Sequence, residues 1–285
     1  MIQDIEPKHL NNHYEKKQPS IKDRIMVFRD KMVFVKEENG EAEFLSYGRL
    51  VLICREKKVP VPDCRYIFTL GDEAYFLAEF PEVTEEGFEF RKMFELRRMQ
   101  PKEAVFAGAT AWHLYNWYHT NQFCGVCGRK MNHDDKERML RCPSCGNMVF
   151  PRLVPAVIVG LTDGDRLLMT KYAGREYKRY ALIAGFTEIG ETMEETVARE
   201  VMEEVGLRVK NIKYYKSQPW GFDSDLLLGF YCELDDDGPI RMDEDELSVA
   251  EWVDYKDIPD YHEGLSLTEE MMNHFKMQRE KVHDK

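Results

Sequence analysis

The 285-residue sequence has no long apolar run. Its most hydrophobic stretch, Val154–Leu161, falls far short of the roughly 20 residues that a membrane-spanning helix needs. Its start, MIQDIEPKHLNNHYEKK, has no apolar core of the secretory kind, so no signal peptide is expected and the cytoplasm is the expected compartment. Positive charge is in deficit: 40 Lys and Arg stand against 52 Asp and Glu, a net charge of −12. A chain of this sign does not coat duplex DNA by counterion release. It can still take an anionic small substrate where bound cations invert the local sign. Repeats and low-complexity tracts are absent. With 43% hydrophobic and 32% charged residues, the composition is globular rather than disordered. At about 150 residues per domain, the length suggests two or so.

Cysteine is scarce and uneven. Of the seven, Cys54, Cys64 and Cys232 stand alone among apolar neighbours and read as small core residues. An odd total and a start without a secretory signal argue against a disulfide framework. The other four form two knuckles, Cys124-Gly-Val-Cys127-Gly and Cys142-Pro-Ser-Cys145-Gly, with 14 residues between them. Zinc takes four soft ligands in a tetrahedron, and each C-x-x-C turn supplies two from one bend. Four thiolates leave no open position, so this zinc is expected to be structural. The alternative for a C-x-x-C is a redox pair. Zinc ribbons often bind nucleic acid, but the inner loop Arg129–Arg141 mixes Asp134, Asp135 and Glu137 with its bases and forms no clean basic patch.

The front of the chain is strand-rich. Arg24–Phe28 and Lys31–Val35 flank Arg29-Asp30, and Arg65–Leu70 and Ala74–Phe80 flank Gly71-Asp72-Glu73. Both pairs read as hairpins. Ala104–Tyr118 has helical spacing after Pro101. Behind the cysteines the pattern alternates. Pro155–Leu161, Arg166–Tyr172, Tyr180–Phe186, Lys213–Tyr215, Leu226–Leu234 and Val249–Val253 read as strands, and Thr192–Val205 as a helix closed by Gly206. Ser266-x-x-Glu269 is a capping box opening a helix whose Leu267, Met271 and Phe275 form one stripe. The expected architecture is α+β with α/β: a β-rich domain over 1–122, a zinc ribbon over 123–150 and an α/β/α sandwich with a mixed sheet over 151–285.

Within the Thr192–Val205 helix, Glu200, Glu203 and Glu204 meet at one turn, beside the apolar stripe Val197, Val201 and Val205. Clustered carboxylates either face solvent or hold a cation, and their hard oxygens suit Mg²⁺ or Mn²⁺. The run from Gly185 to Leu207 resembles the Nudix hydrolase box, G-x5-E-x7-R-E-U-x-E-E-x-G-U with U a bulky aliphatic. Gly185, Glu191, Arg199, Glu200, Val201, Glu203, Glu204, Gly206 and Leu207 fill every defined position. The resemblance implies cleavage of a nucleoside diphosphate linked to another group. It makes Glu200, Glu203 and Glu204 the catalytic metal ligands and Arg199–Glu191 a pair that holds the loop and helix in shape.

A ribbon directly before such a domain resembles the NADH pyrophosphatase branch, as does Phe150-Pro151-Arg152-x-x-Pro155, although the branch usually has Tyr at the first position. The branch marker S-Q-P-W-P-F-P-x-S is matched by Ser217, Gln218, Pro219, Trp220 and Phe222. Gly221 and Asp223 replace prolines, and Ser224 lies one place early. This resemblance runs from about Phe94 onward. It implies a dinucleotide substrate, NADH or NAD⁺, cut to AMP and nicotinamide mononucleotide. The resemblance also implies NAD-capped RNA 5′ ends as an open further substrate, and a homodimer. Stacking faces are Trp220, Phe222, Phe186 and Phe150, each with a core role as the alternative. Gln218, Pro219, Ser224, Arg97 and Glu137 are further expected contacts. Ala184 would offer a carbonyl and Glu246 a carboxylate to the catalytic metal, with Glu244 as the alternative to Glu246. Restoring proline at 221 and 223 is expected to stiffen the loop and tighten NADH binding. Two other readings stay open. One is a hydrolase of another diphosphate such as ADP-ribose. The other is a non-catalytic nucleotide- or nucleic-acid-binding module, which predicts a decayed glutamate set where this one is intact.

Overall fold

The computed structural model describes the chain except for residues 81, 175–178, 236–237 and 285. The backbone divides into two compact units. One is Ile2–Arg152 with Trp220–Ser224. The other is Leu153–Pro219 and Asp225–Lys285, together with Met1.

The unit built on Ile2–Arg152 contains a five-stranded sheet in the order Leu10–Asn11, Cys64–Leu70, Glu73–Ala78, Arg24–Met26, Leu45–Ser46. A second sheet joins Phe28–Arg29, Met32–Glu38, Glu41–Glu43 and Phe88–Lys92. The hairpin expected around Gly71 is present, with Leu70 facing Glu73. The one expected around Arg29-Asp30 turns one residue later. Asp30 and Lys31 both take positive φ, the geometry whose twist suits a two-residue hairpin, and Phe28 faces Val33. Arg24–Met26 leaves that hairpin and runs parallel to Tyr75–Leu77 in the other sheet. Ile25 and Met26, adjacent in sequence, are both fully buried, and a central strand covered on both faces requires that.

The helix after Pro101 spans Lys102–Thr120 with Pro101 as its N-cap. A second helix, Tyr47–Lys57, was not anticipated. Ser46 caps it by accepting from the Arg49 amide, and Leu50, Ile53 and Cys54 form its buried stripe at the 3–4 spacing a sequence reading could have used. The ribbon is a three-stranded antiparallel sheet of Asn132–His133, Leu140–Arg141 and Met148–Val149. It is tied to the front of its unit by Tyr14 Oη donating to Asp134 O at 2.7 Å and by Arg138 Nη2 donating to Ile67 O at 2.5 Å.

The other unit is a sheet in the order Val209–Trp220, Asp225–Leu234, Val154–Asp163, Arg166–Tyr172, Leu247–Asp254, with Ile183–Phe186 also on Val154–Asp163. Val154–Asp163 runs parallel to Asp225–Leu234 and antiparallel to its other neighbours, so the sheet is mixed. Alternation along it supplies two cores. Val157, Val159 and Leu161 pack with Val197, Val201 and Val205 of the helix Met193–Val205. Ile158 packs with Leu267, Met271 and Phe275 of the helix Leu267–His283. Period two on the strand and period 3.6 on the helices thus give an α/β/α sandwich. The strand read over Lys213–Tyr215 runs much longer, over Val209–Trp220. No helix of the described residues is long and apolar enough to cross a membrane.

Candidate metal centres and active site

The two knuckles are the same turn made twice. Gly128 N donates to Cys124 O and Gly146 N to Cys142 O, and both glycines take positive φ, which costs them no Cβ clash. Cys124 Sγ lies 3.6 Å from Cys145 Sγ, and Cys127 Sγ 3.4 Å from Cys142 Sγ. Zn–S bonds of about 2.3 Å in a tetrahedron place sulfurs about 3.8 Å apart. The four sulfurs fit one zinc ion. Among the described residues they are the one group of metal-ligating side chains whose ligand atoms all lie within 4.8 Å of one another. Burial pushes the Cys124 thiol up, but the amides of Cys127 and Val126 and the neighbouring thiols outweigh it and bring it to about 6. Cys54 and Cys232 are buried core residues, as read; Cys64 is half-buried.

The box builds its site around one guanidinium. Thr192 caps the helix in a reciprocal capping box with Glu195, and Gly206 closes it in the left-handed conformation. Arg199 donates from Nε to Glu191 Oε1 at 2.6 Å and from Nη2 to Glu191 Oε2 at 3.0 Å. Its Nη1 reaches Glu200 at 2.7 Å and Glu203 at 2.9 Å, and its Nη2 also reaches the carbonyl of Phe186 at 2.8 Å. Glu191 accepts further from the Glu188 amide and from Thr196 Oγ1. Arg199, then that amide and that hydroxyl, hold the Glu191 carboxyl down to about 2. Thr196, fully buried, was not singled out in the sequence, because its role appears only when the loop folds back onto the helix.

Glu200 lies directly over the backbone of Gly185. A Cβ at 185 would stand 1.9 Å from the Glu200 carboxyl carbon, so the box glycine is the space that this carboxylate occupies. Burial pushes the Glu200 carboxyl up, Arg199 opposes this, and Glu203 and Glu246 add to it. Glu246 is thus among the charges acting on Glu200. The acidic run reaches the helix through its backbone: Arg241 N donates to Val205 O and Asp243 N to Glu204 O, which satisfies carbonyls at the helix end. Glu204 is 2% exposed, while Glu203 and Glu246 face solvent. Ala184 neighbours Gly185 in the strand paired with Val154–Asp163. An all-oxygen donor set with a partly buried carboxylate that would gain from a nearby positive charge fits a hard divalent cation.

The expected substrate contacts separate into several places. Arg97 lies 4.9 Å over the Trp220 ring and 6.0 Å from Phe222, and the two aromatic rings lie 5.1 Å apart. Trp220 is nearly buried, with its Nε1 donating to Asp223 at 3.1 Å. Asp223 is therefore tied to the tryptophan that it follows. Trp112 Nε1 donates to Phe222 O at 3.2 Å, an anchor that nothing local in sequence announces. Gln218 is fully buried: its Nε2 donates to Leu265 O and its Oε1 accepts from Leu267 N, both at 2.7 Å. Its side chain fixes the start of the Leu267–His283 helix. Pro219 is exposed, and Ser224 turns the chain with φ at 71°. Phe150 and Phe186 are both more than half exposed. Glu137 sits on an exposed turn whose amides are capped by Asp134.

The expectation that proline at 221 would stiffen the loop is overturned. Any Cβ at 221 would lie 2.3 Å from Ala109 O, a backbone atom of the Lys102–Thr120 helix, so glycine is what lets the loop lie against that helix.

Residues 151–274 match the NUDIX domain, and residues 119–150 match the NADH pyrophosphatase zinc ribbon domain. The chain is 38% identical over 146 residues to the NAD-capped RNA hydrolase NudC of Photorhabdus laumondii and 40% identical over 146 residues to the protein of the same name from Enterobacter sp.. Each alignment covers 51% of this chain and 56% of the relative, so the chain spans about half the length of the curated relatives it matches. A solved NUDIX hydrolase from Nitrosomonas europaea is 21% identical with a TM-score of 0.48, over 56% of this chain and 93% of that one.

Proposed function

We propose that this chain, which carries a NUDIX domain directly behind an NADH pyrophosphatase zinc ribbon domain, hydrolyses the pyrophosphate bond of NADH or NAD⁺ to AMP and nicotinamide mononucleotide and removes NAD caps from RNA 5′ ends. The observation that carries the reading is the frame around Arg199, which holds Glu200 and Glu203 on one guanidinium and is itself held by Glu191. The names of the relatives support the substrate.

In this reading Glu200, Glu203 and Glu204 would hold Mg²⁺ or Mn²⁺, with Glu246 and the Ala184 carbonyl as further oxygens. A divalent ion held there would supply positive charge against the pyrophosphate and would lower the pKa of an attacking water. The protein's own part is positional and protonic. Glu191 fixes Arg199, and Arg199 fixes the direction of two carboxylates. One of the three glutamates accepts the proton of the water. Phe150 and Phe186 offer exposed rings for stacking, while Arg97, Trp220 and Phe222 form a cation–aromatic cluster suited to a base or nicotinamide ring. Glu137, Pro219 and Ser224 are the remaining contacts, and Gln218 acts by fixing the start of the Leu267–His283 helix. The chain functions as a homodimer in the cytoplasm, and the exposed Phe123, Val126 and Met148 of the ribbon suit a partner surface.

The test is product mass analysis on NADH, NAD⁺, ADP-ribose and NAD-capped RNA, with Mg²⁺ and with Mn²⁺. AMP and the nicotinamide mononucleotide are expected from the first two, and a 5′-monophosphate RNA from the last. Turnover of ADP-ribose alone, or of nothing, overturns the reading. Light scattering of the purified chain reads the dimer.

A further inference from the structure

The unit built on Ile2–Arg152 contains a cleft of about 750 Å³ that is separate in composition from the NUDIX box. Three elements wall it: the Cys64–Leu70 and Glu73–Ala78 hairpin, the second half of the Lys102–Thr120 helix, and the ribbon segment Lys130–His133. Its volume is in the range of small-ligand sites. Leu77, Met131 and Leu140 give it an apolar floor.

The helix contributes a column of rings. Trp112 stacks on Tyr115 at 5.6 Å, and Tyr115 stacks on His119 at 5.4 Å with an interplanar angle of 16°. Spacings of three and four residues put these rings on one helix face. The column ends on His119, which is exposed and lines the cleft. Beside it, Tyr118 has the Arg65 guanidinium 5.1 Å from its centroid and His133 at 5.1 Å. The Arg65 side chain makes no hydrogen bond or ion pair among the described residues, and neither does that of Lys130, which lines the same cleft. In a chain with a net charge of −12, the cleft thus holds two cations without carboxylate ion-pair partners beside an open stack of rings. Burial and the Arg65 charge push the His133 imidazole down to about 4, so at neutral pH it presents a neutral polar edge. Asp63 and Glu79 also line the cleft and supply acceptors of the kind that bind ribose hydroxyls.

We propose that this cleft binds a nucleotide, its base continuing the ring column on His119 and its phosphate drawn to Arg65 and Lys130. Two sources carry that chemistry, a free mononucleotide and one nucleotide of an RNA strand. The inference does not rest on the hydrolase reading, because binding is read without turnover.

The probes are 5′-AMP and a fluorescein-labelled adenosine hexaribonucleotide, titrated against the full chain by anisotropy in buffer free of divalent ions. Competition by 5′-AMP identifies a mononucleotide as sufficient; binding of the hexamer alone identifies a strand. The double variant Arg65→Gln/Lys130→Gln should bind about tenfold more weakly. Its salt slope should be shallower by about 1.4 if both cations meet phosphates. His119→Ala should lose about fivefold or more. Zinc content and melting temperature of each variant report whether the fold is intact. On the unaltered protein, a hexamer containing 4-thiouridine should photocrosslink within residues 115–133. Failure of both probes to bind, variants that bind as tightly as the parent, or crosslinks confined to other segments each overturn the proposal.

Discussion

The box helix and the Gln218–Ser224 segment both match a family pattern, yet the structure treats them differently. In the box, spacing and geometry coincide: Glu191, Arg199, Glu200 and Glu203 meet through four side-chain hydrogen bonds within 13 residues of chain. In the other segment, neighbours in sequence have separate employment. Gln218 is spent on the Leu267–His283 helix, whereas Trp220 and Phe222 pack with Arg97 and Trp112. The chain leaves one unit after Pro219 and rejoins it at Asp225. A helix fixes relative side-chain positions by its own periodicity; a loop takes them from whatever it lies against.

The largest effect that sharpens this contrast is expected in the box. Glu203→Gln keeps size and helix propensity at an exposed position, so it should cut turnover at least about 10²-fold with little change in Tm. Normal turnover by that variant would mean that the box geometry is decorative. Gln218→Ala should show the opposite split. It leaves Leu265 O and Leu267 N without their buried partner, at about 2–4 kcal/mol of stability. A denaturant titration should show that loss. A variant with unaltered stability and a raised KM would return Gln218 to the substrate.

Gly221→Ala should cost about 1–3 kcal/mol through overpacking against Ala109 O, and Gly221→Pro no less. A tighter KM for NADH in Gly221→Pro would instead restore the stiffening argument. The smallest effect is in acid. The Glu191 carboxyl is held at about 2, below its ordinary 4.5. Its contribution is therefore complete above about pH 4.5 and is lost as pH falls towards 2. Glu191→Gln should remove that portion of the acid transition, and identical acid unfolding curves would contradict the Arg199 frame.

Much of the fold was legible because it is periodic. The box helix, with Thr192 before it and Gly206 after it, and the Arg166–Tyr172 strand follow from local pattern and caps. The Tyr47–Lys57 helix carried the same kind of signal in Leu50, Ile53 and Cys54, so it was readable and was missed. The shift of the first hairpin was harder. Its turn depends on positive φ at Asp30 and Lys31, and lysine does not advertise that conformation.

The four-cysteine cluster and the side-chain frame of the box around Arg199 were determined by the sequence alone. Thiolates with two residues between them share one turn, and side chains three and four apart share one helix face, whatever surrounds them. Tertiary structure decided what the remaining marker residues do. Glycine at 221 was needed because the Lys102–Thr120 backbone, over a hundred residues earlier, comes within a Cβ radius of it. The acidic run meets the end of the box helix through the Arg241 and Asp243 amides, and Glu246 is among the charges that act on Glu200. Such contacts join residues far apart in the chain. No local periodicity encodes them, and only packing selects them.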